Sequence, residues 1–210
     1  MLRLTTLFAV CVVVALACVS GSSATATAAD FQPLFDGKSL SGWQGDEAIW
    51  SVKDGLIVGT TEAKPIKKNT FLSTEKKYKN FVLKAKFKLR NGNSGIQIRS
   101  AQHPEHVVKG YQADIAEKRY MGILYEEGGR GILADVKPEE VEKHIKPGEW
   151  NEYEITVDGP HIVQKINGFT TVDYTEKSDV GAKDGIIALQ CHVGPPMLVH
   201  FKDIEIKELP

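Results

Sequence analysis

Strict alternation of apolar and polar side chains is the feature that most restricts what this chain can become. Phe81, Leu83, Ala85, Phe87 and Leu89 alternate with Lys84, Lys86 and Lys88. Tyr153, Ile155 and Val157 alternate with Glu152, Glu154 and Thr156. A period of two puts neighbours on opposite faces of a strand, here one dry and one wet. Turn signals punctuate these runs. Asn167-Gly168 between Ile166 and Phe169, and Asp54-Gly55 before Leu56-Ile57-Val58, combine residues that tolerate positive φ and predict tight hairpins. Asp158-Gly159 marks a further turn. Two more strands are expected from Gly185 to His192 and from Leu198 to Leu209. In the second, Ile204 and Ile206 fall out of phase with Val199 and Phe201, which predicts a bulge near Lys202-Asp203. A single segment reads as helical: Pro138 to Ile145, with proline and acids at its start. It has room for at most two turns. The fold class is therefore all-β, a two-sheet antiparallel β-sandwich or jelly roll with at most one short helix.

The first 29 residues follow another logic. A short basic start containing Arg3, an apolar run from Leu7 to Val19 and a small, polar stretch from Gly21 to Ala29 have the order of a secretory signal peptide. The apolar run is shorter than the roughly 20 residues of a membrane span, so no integral span is expected. Export to the periplasm or the medium is the expectation. Lipidation at Cys18, after Ala15-Leu16-Ala17, is a rival because the segment loosely resembles a lipobox. Residues 30–210 then form one domain, long enough for a sizeable core.

Lys plus Arg total 26 and Asp plus Glu 27, and Arg3 belongs to the leader. That balance argues against a nucleic-acid partner and leaves a neutral ligand open. Cys11 and Cys18 also lie in the leader, so Cys191 alone remains and no internal disulfide can form. His103 and His106 are separated by Pro104, which spoils a helical metal pair; a solvated loop accounts for them.

The segment Asn93 to Arg99 and the segment Gly110 to Ile115 carry the polar groups of most interest. In ideal strands Gln97 and Arg99 share one face, opposite Ile96 and Ile98, and Gln112 and Asp114 share one face likewise. An apolar sheet bearing Arg, Asp and Gln on its other side suits sugar hydroxyls. An ordinary solvated face is the alternative, as is a plain cross-strand ion pair between Arg99 and Asp114.

Several phrases together carry a resemblance. They are Leu34-Phe35-Asp36-Gly37-Lys38-Ser39-Leu40-Ser41-Gly42-Trp43, Trp50-Ser51-Val52-Lys53-Asp54-Gly55, Tyr78-Lys79-Asn80-Phe81, Asn93-Ser94-Gly95-Ile96, Gly148-Glu149-Trp150-Asn151, Asn167-Gly168 and Val199 to Lys207. In order and spacing they resemble the 3-keto-disaccharide hydrolase domain family of secreted bacterial proteins, from about Phe31 to Pro210. The resemblance implies a concanavalin A-like lectin or glucanase fold, with ligand on the concave sheet. Each phrase also has a structural reading: Asp36 as a turn residue bonding its own backbone, Trp43 and Trp50 as core aromatics, Gly95 as a point of close backbone approach. In the Gly-Tyr-x-x-x-Ile segment, many relatives carry an acid and then an amide; here Gln112 and Asp114 exchange the two.

The resemblance further implies a carbohydrate substrate already oxidised to a ketone at carbon 3. Such a ketone acidifies the carbon 2 hydrogen, so a base can start an elimination that expels the carbon 1 substituent. Water then adds. This chemistry needs a base, a stabiliser of the enolate oxygen and an acid near the leaving oxygen. It does not need the spaced carboxylate pair of ordinary glycosidases. The catalytic candidates are His192, Asp114, Tyr125 and Glu126, with Glu127 as an alternative base. The substrate-binding candidates are Arg99, Gln97, Gln112, Gln190 and Arg130, with Tyr120 also at the rim. Two of these have plain alternatives: His192 as a strand cap bonded to a backbone carbonyl, and Glu126 and Glu127 as loop solvation before Gly128-Gly129. Cys191 points opposite to His192 and is expected to be a core thiol. Calcium on an Asp-containing loop is the one cofactor that the fold resemblance suggests, although no ligand cluster demands it. A lectin-like binding module without catalysis is the competing function.

Overall fold

The structure, a computed structural model, describes residues 30–117 and 119–210. The expected leader, with Cys11 and Cys18, lies outside the described residues. Fifteen strands appear among them: β1 (Gln32–Pro33), β2 (Trp43–Gln44), β3 (Trp50–Lys53), β4 (Leu56–Thr60), β5 (Thr70–Tyr78), β6 (Phe81–Arg90), β7 (Asn93–His103), β8 (Val107–Ala116), β9 (Leu124–Glu127), β10 (Gly131–Ala134), β11 (Asn151–Asp158), β12 (His161–Ile166), β13 (Phe169–Thr175), β14 (Gly185–Cys191) and β15 (Leu198–Glu208). They form two antiparallel sheets. One has the order β13-β12-β11-β6-β15-β4-β3, with β1 added to β15; the other has the order β10-β9-β8-β7-β14-β5-β2.

Alternation dictates which side chains meet between the sheets. Phe81, Leu83, Ala85 and Phe87 of β6 and Tyr153, Ile155 and Val157 of β11 face inward from the first sheet, and Ile96, Ile98, Ile115, Ile187 and Leu189 from the second. The lysines of β6 stay on the wet side. Trp43 and Trp50 are both buried, and the Trp43 indole N–H donates to the Leu34 carbonyl at 2.7 Å. Cys191 is a buried core thiol, pushed up to about 12 by burial.

The turns behave as their chemistry requires. Asn167 and Gly168 take φ values of 50° and 83°, the double positive φ of a tight hairpin. The bulge in β15 falls between Lys202 and Glu205, with Asp203 at φ 48°. The helix α1 spans only Pro138–Val141 and buries Val141. The expected run to Ile145 ends early because a single turn, held by one buried side chain, does not propagate.

One irregularity was not anticipated. The β7–β8 register shifts between Ile98 and Ala101, Arg99 takes φ 46°, and Gly110 takes φ 141° with Ser100 packed where a Cβ would stand. The hairpin therefore bends here. Its far arm folds across the sheet face turned away from the partner sheet. Val108 packs there against Phe71, Ile186 and Ala188. The Phe71 amide donates to the His106 carbonyl at 3.0 Å, and Lys68 pairs with Glu105. This arm roofs part of a sheet face that would otherwise be open, and it buries the polar groups beneath.

Candidate active site

Four of the expected residues meet under that roof. Register places Gln97 opposite Gln112 and Ala188, Gly95 opposite Asp114, and Tyr125 opposite Gln112. Gln97, Gln112, Asp114 and Gln190 are all buried. They form a one-directional chain of donors. The Ser100 hydroxyl donates to Gln97 Oε1 at 2.6 Å, Gln97 Nε2 to Gln112 Oε1 at 2.8 Å, and Gln112 Nε2 to Asp114 Oδ1 at 2.6 Å. Gln190 Oε1 stands 3.4 Å from Gln112 Nε2, while Gln190 Nε2 has no partner. An unpaired buried donor costs about 1–3 kcal/mol, and Gln190 Nε2 shares this state with Trp50 Nε1 and Gln164 Nε2 elsewhere in the sandwich. Gly95 makes the arrangement fit: a Cβ there would stand 2.6 Å from Gln112 Cδ.

No cation touches Asp114 among the described residues. Burial pushes its carboxyl up to about 7, with help from the Glu127 charge, against the lowering effect of the Gln112 hydrogen bond. A carboxyl held near neutrality can both take and return a proton at working pH. Glu127 stands at the margin, and Asn69 Nδ2 donates to its Oε1 at 3.1 Å. Asn69 also accepts the Val193 amide at 2.9 Å, tying the start of β5 to the end of β14 and across to β9. Tyr125 and Glu127 are half-buried and form the accessible rim. Behind the strand, the buried Tyr153 hydroxyl lies 3.3 Å from the Asp114 carbonyl and from Gln164 Oε1.

The other expected residues go elsewhere. Arg99 does not share a face with Gln97 and does not pair with Asp114. Its left-handed backbone at the bulge breaks the alternation, and its guanidinium donates to Lys79 O (2.5 Å), Gly159 O (2.6 Å) and Asn80 Oδ1 (2.8 Å). Glu126 points away from Tyr125, as its pairing with Tyr111 demands. Arg130 holds it at 2.7 Å and also reaches Glu176 at 2.6 Å. That cation lowers both carboxyls, Glu176 strongly, while Glu176 and burial raise Tyr111. Arg130 is thus an ion-pair hub rather than a rim contact of the amide network. The neighbouring Tyr120 is exposed, with Arg119 over its ring. His192 is half-buried and its Nδ1 lies 2.5 Å from the Val193 carbonyl, which leaves only Nε2 free. No hydrogen bond or ion pair joins it to Asp114 or Gln190 among the described residues. His106 serves through its carbonyl, which accepts the Phe71 amide in the roof.

Among the described residues no three His, Cys, Asp or Glu side chains gather as a cation would need. An apolar cavity of about 360 Å³ lies between Phe87, Leu89, Met121 and Val141 and includes none of the amide-network residues in its lining.

A roofed amide-and-carboxylate face on a β-sandwich suits more than one class of polar ligand. Comparison narrows it. The chain belongs to the family described as the 3-keto-α-glucoside-1,2-lyase-like domain, matched over residues 30–207. It is similar in structure to a candidate glycosyl hydrolase of Parabacteroides distasonis (25% identity, 86% of this chain and 94% of that one, TM-score 0.64). It shares the fold of a carbohydrate-binding module of Bacillus subtilis (13% identity, 80% and 96%, TM-score 0.61). It also shares that of a β-glucanase of Bacillus licheniformis (10% identity, 88% and 100%, TM-score 0.56). No curated protein matches the sequence. The family suggests a glycoside hydrolase-like or carbohydrate-binding protein. No helix among the described residues is long and apolar enough to cross a membrane.

Proposed function

We propose that the chain cleaves glycosides bearing a ketone at carbon 3, with Asp114 as the proton-transferring group. The single supporting observation is a carboxyl pushed up to about 7 inside a network of amides that ends in an unpaired donor, Gln190 Nε2. In its ionised form Asp114 takes the carbon 2 proton. The electron pair moves onto the carbon 3 oxygen as an enolate, which Gln190 Nε2 is placed to stabilise. When the enolate collapses, the ketone re-forms, a carbon 1–carbon 2 double bond appears and the carbon 1–oxygen bond breaks. The leaving oxygen takes a proton from the rim, where Tyr125, paired in register with Gln112, carries a hydroxyl. Addition of water across the double bond completes a net hydrolysis. Asp114 is held by the Gln112 amide at 2.6 Å, and groups fixed in this way act strongly. The leader-like first 29 residues support action outside the cytoplasm on sugars oxidised elsewhere.

Incubating the purified protein with a 3-keto-glucoside, unlabelled or deuterated at carbon 2, tests this reading. The expected result is release of the leaving alcohol, slower from the deuterated substrate. Absence of turnover across several 3-keto-glycosides overturns it. Sugar binding by calorimetry without product would instead favour a carbohydrate-binding module, a reading supported by the shared fold with one and by the predominance of amides over charges in the network.

A further inference from the structure

A second pocket lies on the edge of the sandwich, distinct from the amide network. Its volume is about 210 Å³, and Lys79, Arg99, Lys183 and Glu176 border it with apolar walls that include Pro160 and Ile162. Three cations and one acid line the pocket itself. Arg99 is 4% exposed, yet none of its three hydrogen-bond acceptors carries a charge. Buried arginines are ordinarily paired with a carboxylate. Asp158 and Asp184 are near enough to favour the cation, but neither forms an ion pair with it. Lys79 and Lys183 likewise pair with no acid among the described residues. The one acid in the lining, Glu176, is already held by Arg130 and by the Tyr111 hydroxyl. A guanidinium has five N–H donors, so two remain after the three bonds. One is left on each Nη nitrogen, and carboxylate oxygens are strong acceptors for guanidinium N–H groups.

We propose that this pocket binds a small molecule through a carboxylate, with Arg99 as the anchor, Lys183 as the rim charge and the Pro160–Ile162 wall against the rest of the ligand. The volume is below the range typical of drug-sized ligands, so the ligand is of monosaccharide size or smaller. An acidic sugar such as a uronate combines both features. The site does not rest on the activity proposed above, since it shares no residue with the amide network.

Calorimetric titration of the purified chain with sodium glucuronate at low ionic strength tests the proposal, with glucose and inorganic phosphate as parallel titrants. Glucuronate is expected to bind one to one, and glucose about tenfold more weakly or not at all, because a buried cation left unpaired by the wrong ligand gains nothing. Lys183→Glu, an exposed position, should weaken glucuronate about fivefold or more, and Arg99→Lys about tenfold, since lysine cannot present a planar fork. Asp114→Asn should leave glucuronate affinity unchanged. Arg99 also ties two turns together; if Arg99→Lys does not fold, Lys183→Glu decides alone. No binding of glucuronate, equal affinity for glucose, a preference for phosphate, or affinity unmoved by Lys183→Glu each overturns the assignment.

Discussion

Two carboxylate clusters lie within a few residues of each other along β8 and β9, and their environments are opposite. Asp114 is buried among glutamines, and burial, with a smaller push from the Glu127 charge, raises its carboxyl to about 7 against the lowering Gln112 bond. Glu126 and Glu176 share Arg130, and both are held below the ordinary carboxylate range. The side-chain chemistry is the same; what differs is that burial dominates at one and a cation at the other. A carboxylate fixed by a guanidinium is committed to its charge and serves structure. One among neutral dipoles retains a proton affinity that a substrate can use.

The sharpest way to break this contrast is by exchange of acid for amide at each cluster. Asp114→Asn is expected to reduce turnover of a 3-keto-glucoside about a thousandfold, within the range for loss of a general base. Glu126→Gln should leave turnover within about threefold, because that carboxylate faces the other side of the strand and only positions Arg130. Steady-state rates on both variants check this. A larger loss at Glu126 would move the chemistry to the ion-pair hub.

The second test is pH-linked stability. Asp114 is raised from 3.8 to about 7. The folded state therefore prefers the protonated acid. Its stabilising effect is complete below about pH 4 and is lost as pH rises through about 7. The upper limit of the loss is roughly 4 kcal/mol at 1.36 kcal/mol per unit. Asp114→Asn, which cannot ionise, should be more stable than the parent at pH 8 and should lose that advantage by pH 4. Denaturant unfolding at the two pH values measures it. The Arg130 cluster should show the reverse trend: Glu176 is lowered, so its contribution is present above the ordinary glutamate range and fails on acidification. Arg130→Met strands two acids and should cost about 3 kcal/mol at pH 7, with the penalty shrinking as pH falls through about 4.

Part of this difference was legible in the sequence. Alternation alone places Gln97 on one face of β7, and Gln112 and Asp114 on one face of β8, because the ladder is regular from Asn93 to Ile98. The same rule separates Tyr125 from Glu126, so those two never belonged to one catalytic set; Glu127 is the acid that shares the tyrosine's side. Arg99 could not be placed by counting. A left-handed residue at the bulge reverses its direction, and nothing in Ile98-Arg99-Ser100 announces a bulge; only Gly110, across the hairpin, hints at one. Asn69 was missed for another reason. It reaches Glu127 from a distant strand, and its role exists only once the strand order and the folded-over arm are known. The apolar core required no such knowledge, since burial follows the period of two wherever the ladder is unbroken.

The smallest expected effect tests how tightly the amide network is built. Gly95→Ala places a Cβ 2.6 Å from Gln112 Cδ, closer than carbon atoms approach, on a buried face with little room to yield. The side chain with freedom to move is Gln112 itself, and moving it lengthens its bond to Asp114 Oδ1. The stability cost should be about 1–2 kcal/mol, the usual range for overpacking. A consequence follows that a purely structural defect would not share. Gln112 lowers the Asp114 carboxyl by hydrogen bonding to its charged form. Weakening that bond should shift the Asp114 titration upward, and with it the pH at which turnover reaches half its maximum. Gly95→Ala in an otherwise folded protein should therefore show an alkaline displacement of the acid limb of the pH–rate profile. A lowered rate with an unmoved limb would mean that Gln112 holds the substrate and does not tune the acid.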